Sequence, residues 1–245
     1  MGQRNKLGPY MELNEKIIFF NRTDDEISNC IANHLKNTGY RVIFASNSEL
    51  TCKDEIELFF DQFKESLHGA VLAVPPLEKI YRTDIEHAST DVTDALRDKF
   101  VLPFFLLTQT VGRLLAHNGG GQIVFINSIH ADKPAGKNIS YSLGCSAVQM
   151  ICREASLIYG HFNVGCYNLM RGAVLNETHL LENEYSYLYS KSDFRYIKGK
   201  PQDNNAFNEI CEFLLSGKGM AMNGADINAD DGFTNTFSRS WVKEV

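Results

Sequence analysis

The hydroxyls of a serine and a tyrosine near the middle of the chain are suited to proton chemistry on a substrate oxygen. Ser128 follows an apolar run, and Tyr141 lies thirteen residues later. A serine hydroxyl can hold a hydroxyl or carbonyl oxygen by hydrogen bonding, and a tyrosine hydroxyl can donate or accept its proton. A tyrosine has an unperturbed pKa of about 10, so it forms little phenolate at neutral pH without a nearby cation. The pair is a candidate active site whose tyrosine needs such a cation to act as a base.

The elements that would position this pair can be read from the alternation of apolar runs and amphipathic stretches. Mostly apolar runs stand at 17–20, 41–45, 69–74 and 122–126, and further strand-like segments stand at 163–169 and 224–228. Helical stretches with one apolar face lie between them, at 25–38, 89–117, 141–159 and 205–215. Runs of this kind are typical of strands buried on both faces of a parallel sheet. The pattern predicts an α/β fold with a doubly wound parallel sheet, formed as a single domain over residues 16–245 after an extension at residues 1–15.

Composition excludes several classes of partner. The chain has 245 residues with a net charge of −6, so no basic surface for nucleic acid is expected. We find no apolar run that approaches the roughly 18 residues needed to span a bilayer, and no signal peptide, so we expect a cytoplasmic protein without a membrane partner. The six cysteines form no Cys-x-x-Cys pair and no histidines stand at metal spacing, so we expect reduced thiols and no metal.

Several segments together resemble the short-chain dehydrogenase/reductase family. The segment Gly121–Ser128 resembles the family's strand that ends in its catalytic serine, and Tyr141 stands at the family's usual interval to its catalytic tyrosine. The segments Val164–Asn168 and Gly224–Gly232 resemble later strands of the family, and the likeness extends over residues 16–232. The resemblance implies a Rossmann-type fold. In the family, a lysine four residues after the tyrosine lowers its pKa and holds the nicotinamide ribose.

The positions that bind NAD(P) in the family carry unsuitable residues in this chain. Its Gly-x-x-x-Gly-x-Gly turn lets the pyrophosphate approach backbone amides at a helix N-terminus. Those three glycine positions read Arg22, Glu26 and Ser28 here, within a turn that carries three carboxylates. The second strand is followed by 45–48, Ala-Ser-Asn-Ser, which offers no charge for the ribose, and the third by Pro75 and Pro76. No cofactor is therefore expected, although Arg22 could contact a phosphate and a shifted turn would restore NAD(P) binding.

The catalytic group that the resemblance implies is half present. Ser128 and Tyr141 match, but the lysine position is Cys145 and the position of the family's water-anchoring asparagine is Phe100. Arg171 stands where the family has a proline bordering the nicotinamide pocket, and it is a speculative third site residue that could supply the missing cation. The alternative is a solvated surface arginine. His130, two residues after Ser128, is interpreted as a pocket-rim residue rather than an acid–base group.

Three functions remain open at this point. The first is a cofactor-independent enzyme that acts on a small hydroxyl- or carbonyl-bearing metabolite through Ser128 and Tyr141, as the resemblance to halohydrin dehalogenases suggests. The second is an atypical NAD(P)-dependent oxidoreductase, and the third is a non-catalytic partner subunit or ligand sensor. We expect a homodimer or homotetramer through the helices at 89–117 and 141–159. The tyrosine-rich stretch at 176–200 corresponds to the family's substrate-binding loop.

Overall fold

The computed structural model describes residues 16–45, 50, 52–64, 66–76, 83–133, 138–172 and 202–235. The strands are β1 (Ile17–Phe20), β2 (Arg41–Phe44), β3 (Leu67–Ala73), β4 (Gly121–Ser128), β5 (Val164–Arg171) and β6 (Asp226–Ala229). The helices are α1 (Glu26–Asn37), α2 (Lys53–Asp61), α3 (Thr90–Leu96), α4 (Leu102–His117), α5 (Ile139–Tyr159) and α6 (Asn208–Leu215). A π-helical turn, Arg97–Val101, joins α3 to α4.

All six strands are parallel, in the order β2-β1-β3-β4-β5-β6. The predicted doubly wound sheet is thereby confirmed. The order reverses between β1 and β3, and the carboxyl ends of strands at such a reversal border the crevice where these folds bind ligands. The usual dinucleotide-binding order places a third strand outside the second. Over the described residues, β2 instead forms the edge of the sheet, and the third strand lies directly beside β1.

Alternate residues of each strand enter two separate core layers. Phe19 of β1 and Phe125 of β4 pack with α2, α4 and α5 on one face of the sheet. Ile18 and Val124, their neighbours in the chain, pack with α1 and α6 on the other. Burial of each such side chain stabilises the fold by about 1.5–3 kcal/mol. Because both faces are covered, the strands read as continuous apolar runs rather than as alternating patterns.

Helix α1 shows how local sequence signals define one element. Ile27, Ile31 and Leu35 repeat every four residues and are all buried against the sheet. Asp25 caps its N-terminus through its side chain. At the other end, Gly39 adopts a φ of 94°, a left-handed conformation that glycine reaches without strain and that stops the helix.

The helical segment Thr90–His117 is long and apolar enough to cross a membrane, judged by length and composition only. In the fold, Phe104, Leu107 and Val111 pack against the sheet and α5. These contacts identify the segment as a core helix of the domain. Its π-helical turn has Phe100 near the middle, and the insertion of an extra residue there changes the direction in which neighbouring side chains point.

Most element predictions agree with the structure to within a few residues. Helix α2 was missed, because its nine residues are largely exposed and carry only two fully buried apolar side chains, Ile56 and Phe60. Three predictions lie outside the described residues: the extension at 1–15, the uncharged stretch at 46–48, and the substrate-binding loop at 176–200 with Tyr185, Tyr187, Tyr189 and Tyr196.

Candidate active site

The crevice at the reversal of strand order is bridged by the side chain of Asn21, directly after β1. Its Nδ2 donates to the carbonyl oxygen of Ala73 at 3.1 Å, and its Oδ1 accepts from the backbone N–H of Ala73 at 2.8 Å. This pair of bonds continues the β1–β3 ladder beyond the strand ends with a side chain in place of backbone. Asn21 is almost fully buried, so its amide closes the junction of β1 and β3.

Arg22, at the first glycine position of the family's turn, folds back onto the turn. Its side chain is 7% exposed, and Nη2 donates to the Asp24 carboxylate at 2.5 Å. Its Nε is buried without a hydrogen-bond partner among the described residues. The guanidinium charge is thus partly neutralised by a residue of the same turn, which leaves less of it for an external phosphate.

The N-terminus of α1, where the family binds pyrophosphate, is capped by the protein's own carboxylate. Asp25 accepts hydrogen bonds from the backbone N–H and the hydroxyl of Ser28, at 2.9 and 2.6 Å. Ser28, at the third glycine position, is buried. Glu26, at the second, accepts a hydrogen bond from Nδ2 of Asn204 at 2.8 Å. The Asp25 carboxylate therefore engages the backbone N–H and the hydroxyl of Ser28 in the first turn of α1.

The electrostatic field at this helix end is negative. Burial raises the pKa of the Cys30 thiol, one turn into α1, and the carboxylates of Asp203, Glu26 and Asp25 raise it further. An arrangement that disfavours a thiolate also disfavours a phosphate dianion. Side chains and carboxylates thus stand in this turn at the positions where the family has glycines, and they add bulk and negative charge there.

Ser128 lies at the carboxyl end of β4 and begins a short 3₁₀ turn, Ile129–Ala131. Its Oγ accepts from the backbone N–H of His130 at 3.3 Å and lies 3.0 Å from Nδ1 of the same residue. The side chain of Asn127, one residue earlier, contacts α5: its Nδ2 donates to the carbonyl oxygen of Cys145 at 2.9 Å. The end of β4 is thus fastened to the helix that carries Tyr141.

Tyr141 lies in the first turn of α5 and is 2% exposed. Its ring meets Phe100 edge to face with centroids 5.8 Å apart, and it meets the His130 ring in the same way at 5.6 Å. The structure therefore brings Ser128, His130 and Tyr141 into one cluster, with Phe100 as its apolar wall. His130 is half-buried, which fits the predicted place at the rim, but its ring contacts both partners of the pair.

Cys145, at the lysine position, is fully buried in the apolar core layer beside α4. A charged side chain at this position would be surrounded by hydrocarbon. Close packing extends to the next residue, because a Cβ added at Gly144 would lie 2.9 Å from the Phe100 ring. Phe100 and the small residues of α5 thus fill the region where the family places its lysine and asparagine.

Arg171 ends β5 directly beside Ser128, its partner in the parallel register. Its side chain is buried rather than solvated, at 4% exposure, which contradicts the alternative of a surface arginine. The next residue, Gly172, packs closely against Asp230, which would lie 3.1 Å from an added Cβ. The end of β5 therefore places Arg171 beside Ser128 in the sheet, with its side chain buried.

Two features of this site were not assigned from the sequence. The contact between Ser128 and His130 arises because a tight turn brings residues two positions apart together. The only sequence signal for this contact was the polar residue that follows the strand. The Asn21–Ala73 bridge joins residues far apart in the chain and left no local pattern. Over the residues that the structure describes, no group of three or more His, Cys, Asp or Glu side chains could hold a metal ion.

Comparison with known proteins agrees with this architecture. The sequence profile of the family described as short chain dehydrogenase matches residues 9–186. The chain therefore belongs to the short-chain dehydrogenase family. No curated protein is significantly similar to it in sequence.

Solved structures of low sequence identity share its fold. A gluconate 5-dehydrogenase from Burkholderia cenocepacia, in complex with NADP and tartrate, has a TM-score of 0.76 at 15% identity, covering 91% of this chain and 96% of that one. An acetoin dehydrogenase from Enterobacter cloacae has a TM-score of 0.76 at 17% identity, covering 95% and 100%. An actinorhodin polyketide ketoreductase with NADPH has a TM-score of 0.78 at 15% identity, covering 91% and 98%.

Proposed function

We propose that this member of the family acts without NAD(P), using Ser128 and Tyr141 on an oxygen of a small hydroxyl- or carbonyl-bearing metabolite. One observation carries the proposal: Asp25 occupies the amide and hydroxyl of Ser28 at the helix end where the pyrophosphate would bind. The Asn21 bridge and the Arg22–Asp24 ion pair support it, because each engages a neighbouring group with the protein's own side chain.

The chemistry left to the site is proton transfer at a bound oxygen. The Ser128 hydroxyl holds the substrate oxygen by hydrogen bonding, and the Tyr141 hydroxyl donates or accepts its proton. The buried guanidinium of Arg171, beside Ser128 in the register, supplies positive charge in place of the family's lysine. In this reading the Phe100 ring excludes water from one side of the tyrosine.

Calorimetric titration of the full chain with NADH and NADPH tests the first half of the proposal. We expect no heat of binding and no change in the melting temperature at millimolar cofactor. A ligand present at a hundred times its Kd stabilises a fold by about 2.7 kcal/mol, so binding in the micromolar range would be visible as a shift in Tm. Such a shift would overturn cofactor independence.

Exchange of carbon-bound hydrogen in D₂O tests the second half. Hydroxyacetone and dihydroxyacetone carry a hydroxyl beside a carbonyl, and ¹H NMR follows the loss of their α-proton signals as the enzyme forms the enol. We expect exchange with the wild-type chain and its loss in Ser128→Ala and Tyr141→Phe. An exchange rate equal to that of buffer alone would contradict the proposed chemistry.

A second candidate, an NAD(P)-dependent oxidoreductase, is favoured by the structural likeness to proteins solved with NADP and NADPH. This function requires a change in the β1–α1 turn, in which the Arg22 guanidinium leaves the Asp24 carboxylate and binds a phosphate of the cofactor. A third candidate, a non-catalytic partner subunit or ligand sensor, is favoured by the burial of Tyr141 against Phe100. The cofactor titration and the exchange experiment separate these candidates, because binding of a cofactor supports the second and the absence of both binding and exchange supports the third.

The assembly proposed for this chain is a homodimer or homotetramer built on α4 and α5. Large apolar side chains of these helices remain exposed, among them Phe105, Met150 and Ile158. They line a mostly apolar groove of about 520 Å³ between the two helices. An exposed apolar patch of this kind is typical of a surface covered by a partner. The cytoplasmic location and the lack of nucleic-acid and membrane partners remain predictions from composition.

A further inference from the structure

We propose that His130 is an acid–base residue of this site, which carries a proton between solvent and the Ser128 hydroxyl. The inference rests on the proposed function and adds a third residue to the Ser128–Tyr141 pair. Neither the chain's family membership nor the spacing of its motifs assigns a role to this histidine.

The first support is the geometry of the contact between the serine and the histidine. Ser128 Oγ and His130 Nδ1 are 3.0 Å apart, within the range for proton transfer along a hydrogen bond. The turn that sets this distance is short and anchored, because Lys133 N–H donates to the Ile129 carbonyl at 2.8 Å. The hydroxyl of Ser146, on α5, donates to the carbonyl of Ala131 at 2.9 Å. The turn that carries His130 is therefore anchored both at the end of β4 and on α5.

The second support is the difference in exposure among the three side chains. Ser128 and Tyr141 are buried, at 5% and 2% exposure, whereas His130 is half-buried. A buried hydroxyl that gains or loses a proton during turnover needs a path to water. The imidazole has two ring nitrogens, so it can exchange a proton with the serine at one and with solvent at the other.

The third support is the lack of a cation at the position four residues after Tyr141. Cys145 stands at the lysine position and is fully buried in the apolar core, so it offers no cation. The His130 ring contacts the Tyr141 ring edge to face, with ring centroids 5.6 Å apart. A protonated imidazole there places a positive charge next to both hydroxyl-bearing residues.

The proton movements balance for a hydroxyketone substrate. The Tyr141 hydroxyl gives its proton to the carbonyl oxygen, the Ser128 hydroxyl gives its proton to the Tyr141 oxygen, and the imidazolium of His130 gives its Nδ1 proton to Ser128 Oγ. The α-carbon releases a proton to water, so the C=O bond becomes C–OH and a C=C bond forms. Solvent then protonates His130 again. The return reaction in D₂O places deuterium on carbon, and no oxidant or reductant is required.

The test compares α-proton exchange of hydroxyacetone and dihydroxyacetone in D₂O for the wild-type chain, His130→Gln, His130→Ala and the control His117→Gln. His117 is an exposed histidine at the end of α4, outside the site. We expect kcat for His130→Gln to fall on the order of 100-fold, the usual scale for loss of an acid–base group, and His117→Gln to match the wild type. Added imidazole should restore part of the rate to His130→Ala, which a purely structural role would not allow.

The outcomes separate this inference from the function on which it rests. Exchange by the wild-type chain that persists unchanged in His130→Gln overturns the role of His130 alone. A slow His130→Ala variant with wild-type thermal stability that imidazole does not rescue also overturns it, since the histidine would then act only through packing. A wild-type chain without exchange overturns the proposed function and this inference together.

Discussion

The carboxylate of Asp25 accepts hydrogen bonds from both the backbone N–H and the hydroxyl of Ser28, at 2.9 and 2.6 Å. This contact does for α1 what a bound phosphate does for the corresponding helix in dinucleotide-binding proteins, because it places negative charge and acceptor oxygens on the first turn. The helix end is thus stable without a ligand.

Replacement of Asp25 by alanine should destabilise the protein, because α1 then loses its N-cap. We expect Asp25→Ala to lower the free energy of unfolding by about 1 kcal/mol in urea titrations. Asp54→Ala is the matched control, since Asp54 is an exposed acid in the first turn of α2 and does not cap it. Equal midpoints for the two variants would show that the carboxylate of Asp25 is not needed at the helix end.

Restoring the family's lysine should unfold the chain rather than restore activity. Cys145→Lys places a charge in a fully buried apolar position, and an unpaired buried charge costs about 3–5 kcal/mol. Leu143→Lys on the same helix is the control, because Leu143 is 53% exposed and can extend a lysine into solvent. A stable Cys145→Lys variant that reduces ketones with NADPH would contradict the packing described for this region.

The packing between α4 and α5 at Gly112 should not accommodate an added methyl group. A Cβ at Gly112 would overlap the ring of Tyr159, whose hydroxyl donates to the Gln109 carbonyl at 3.2 Å. We expect Gly112→Ala to cost about 1–3 kcal/mol through overpacking, although alanine is the better helix former. In a Tyr159→Ala background the same change should become neutral or stabilising, which urea titration of the four chains measures.

The oligomer should depend on the exposed apolar residues of α4. We expect Phe105→Asp to shift the sedimentation coefficient from that of a dimer or tetramer to that of a monomer. Phe213→Asp, on α6 on the other side of the sheet, should leave it unchanged, although Phe213 is also exposed at 43%. A wild-type chain that sediments as a monomer at micromolar concentration would rule out the proposed assembly.

Stability should fall at alkaline pH because of buried thiols. Burial raises the pKa of Cys166 from the ordinary value of 9.0 to about 12, and burial also raises those of Cys152 and Cys211. Between the unfolded and folded pKa values the folded state holds more protons, so the free energy of unfolding decreases as pH rises. Each such thiol contributes a slope of about 1.4 kcal/mol per pH unit in that window.

Urea titrations at about pH 8, below this window, and at about pH 9.5 and 10.5, within it, would measure the effect. The variant Cys166→Ala should show a shallower decline than the wild type, even if its stability at pH 8 is lower. Cys52→Ser should leave the slope unchanged, because Cys52 is exposed. A stability that is flat over this range would show that the thiols do not remain protonated in the fold.

The cluster around Ser128 shows which parts of the candidate site could be predicted from the sequence alone. The strand–helix alternation and the thirteen-residue interval identified Ser128 and Tyr141, and the structure places both beside one another through His130. These signals are local, since apolar periodicity and short spacings depend only on neighbours in the chain. The role of Arg171 was left open, because a residue at the end of a strand can face either solvent or the protein interior. The structure shows that its side chain is buried and that it pairs with Ser128 in the register.

What the sequence determined by itself is the class of fold and the absence of glycines at the positions where a dinucleotide would approach the backbone. Only the tertiary structure determined which side chains lie at the β1–β3 junction and around Tyr141. The Asn21–Ala73 bridge and the packing of Phe100 on Tyr141 join segments far apart in the chain. Such contacts depend on strand order and helix packing, which bring distant residues together, and no pattern within a single segment encodes them.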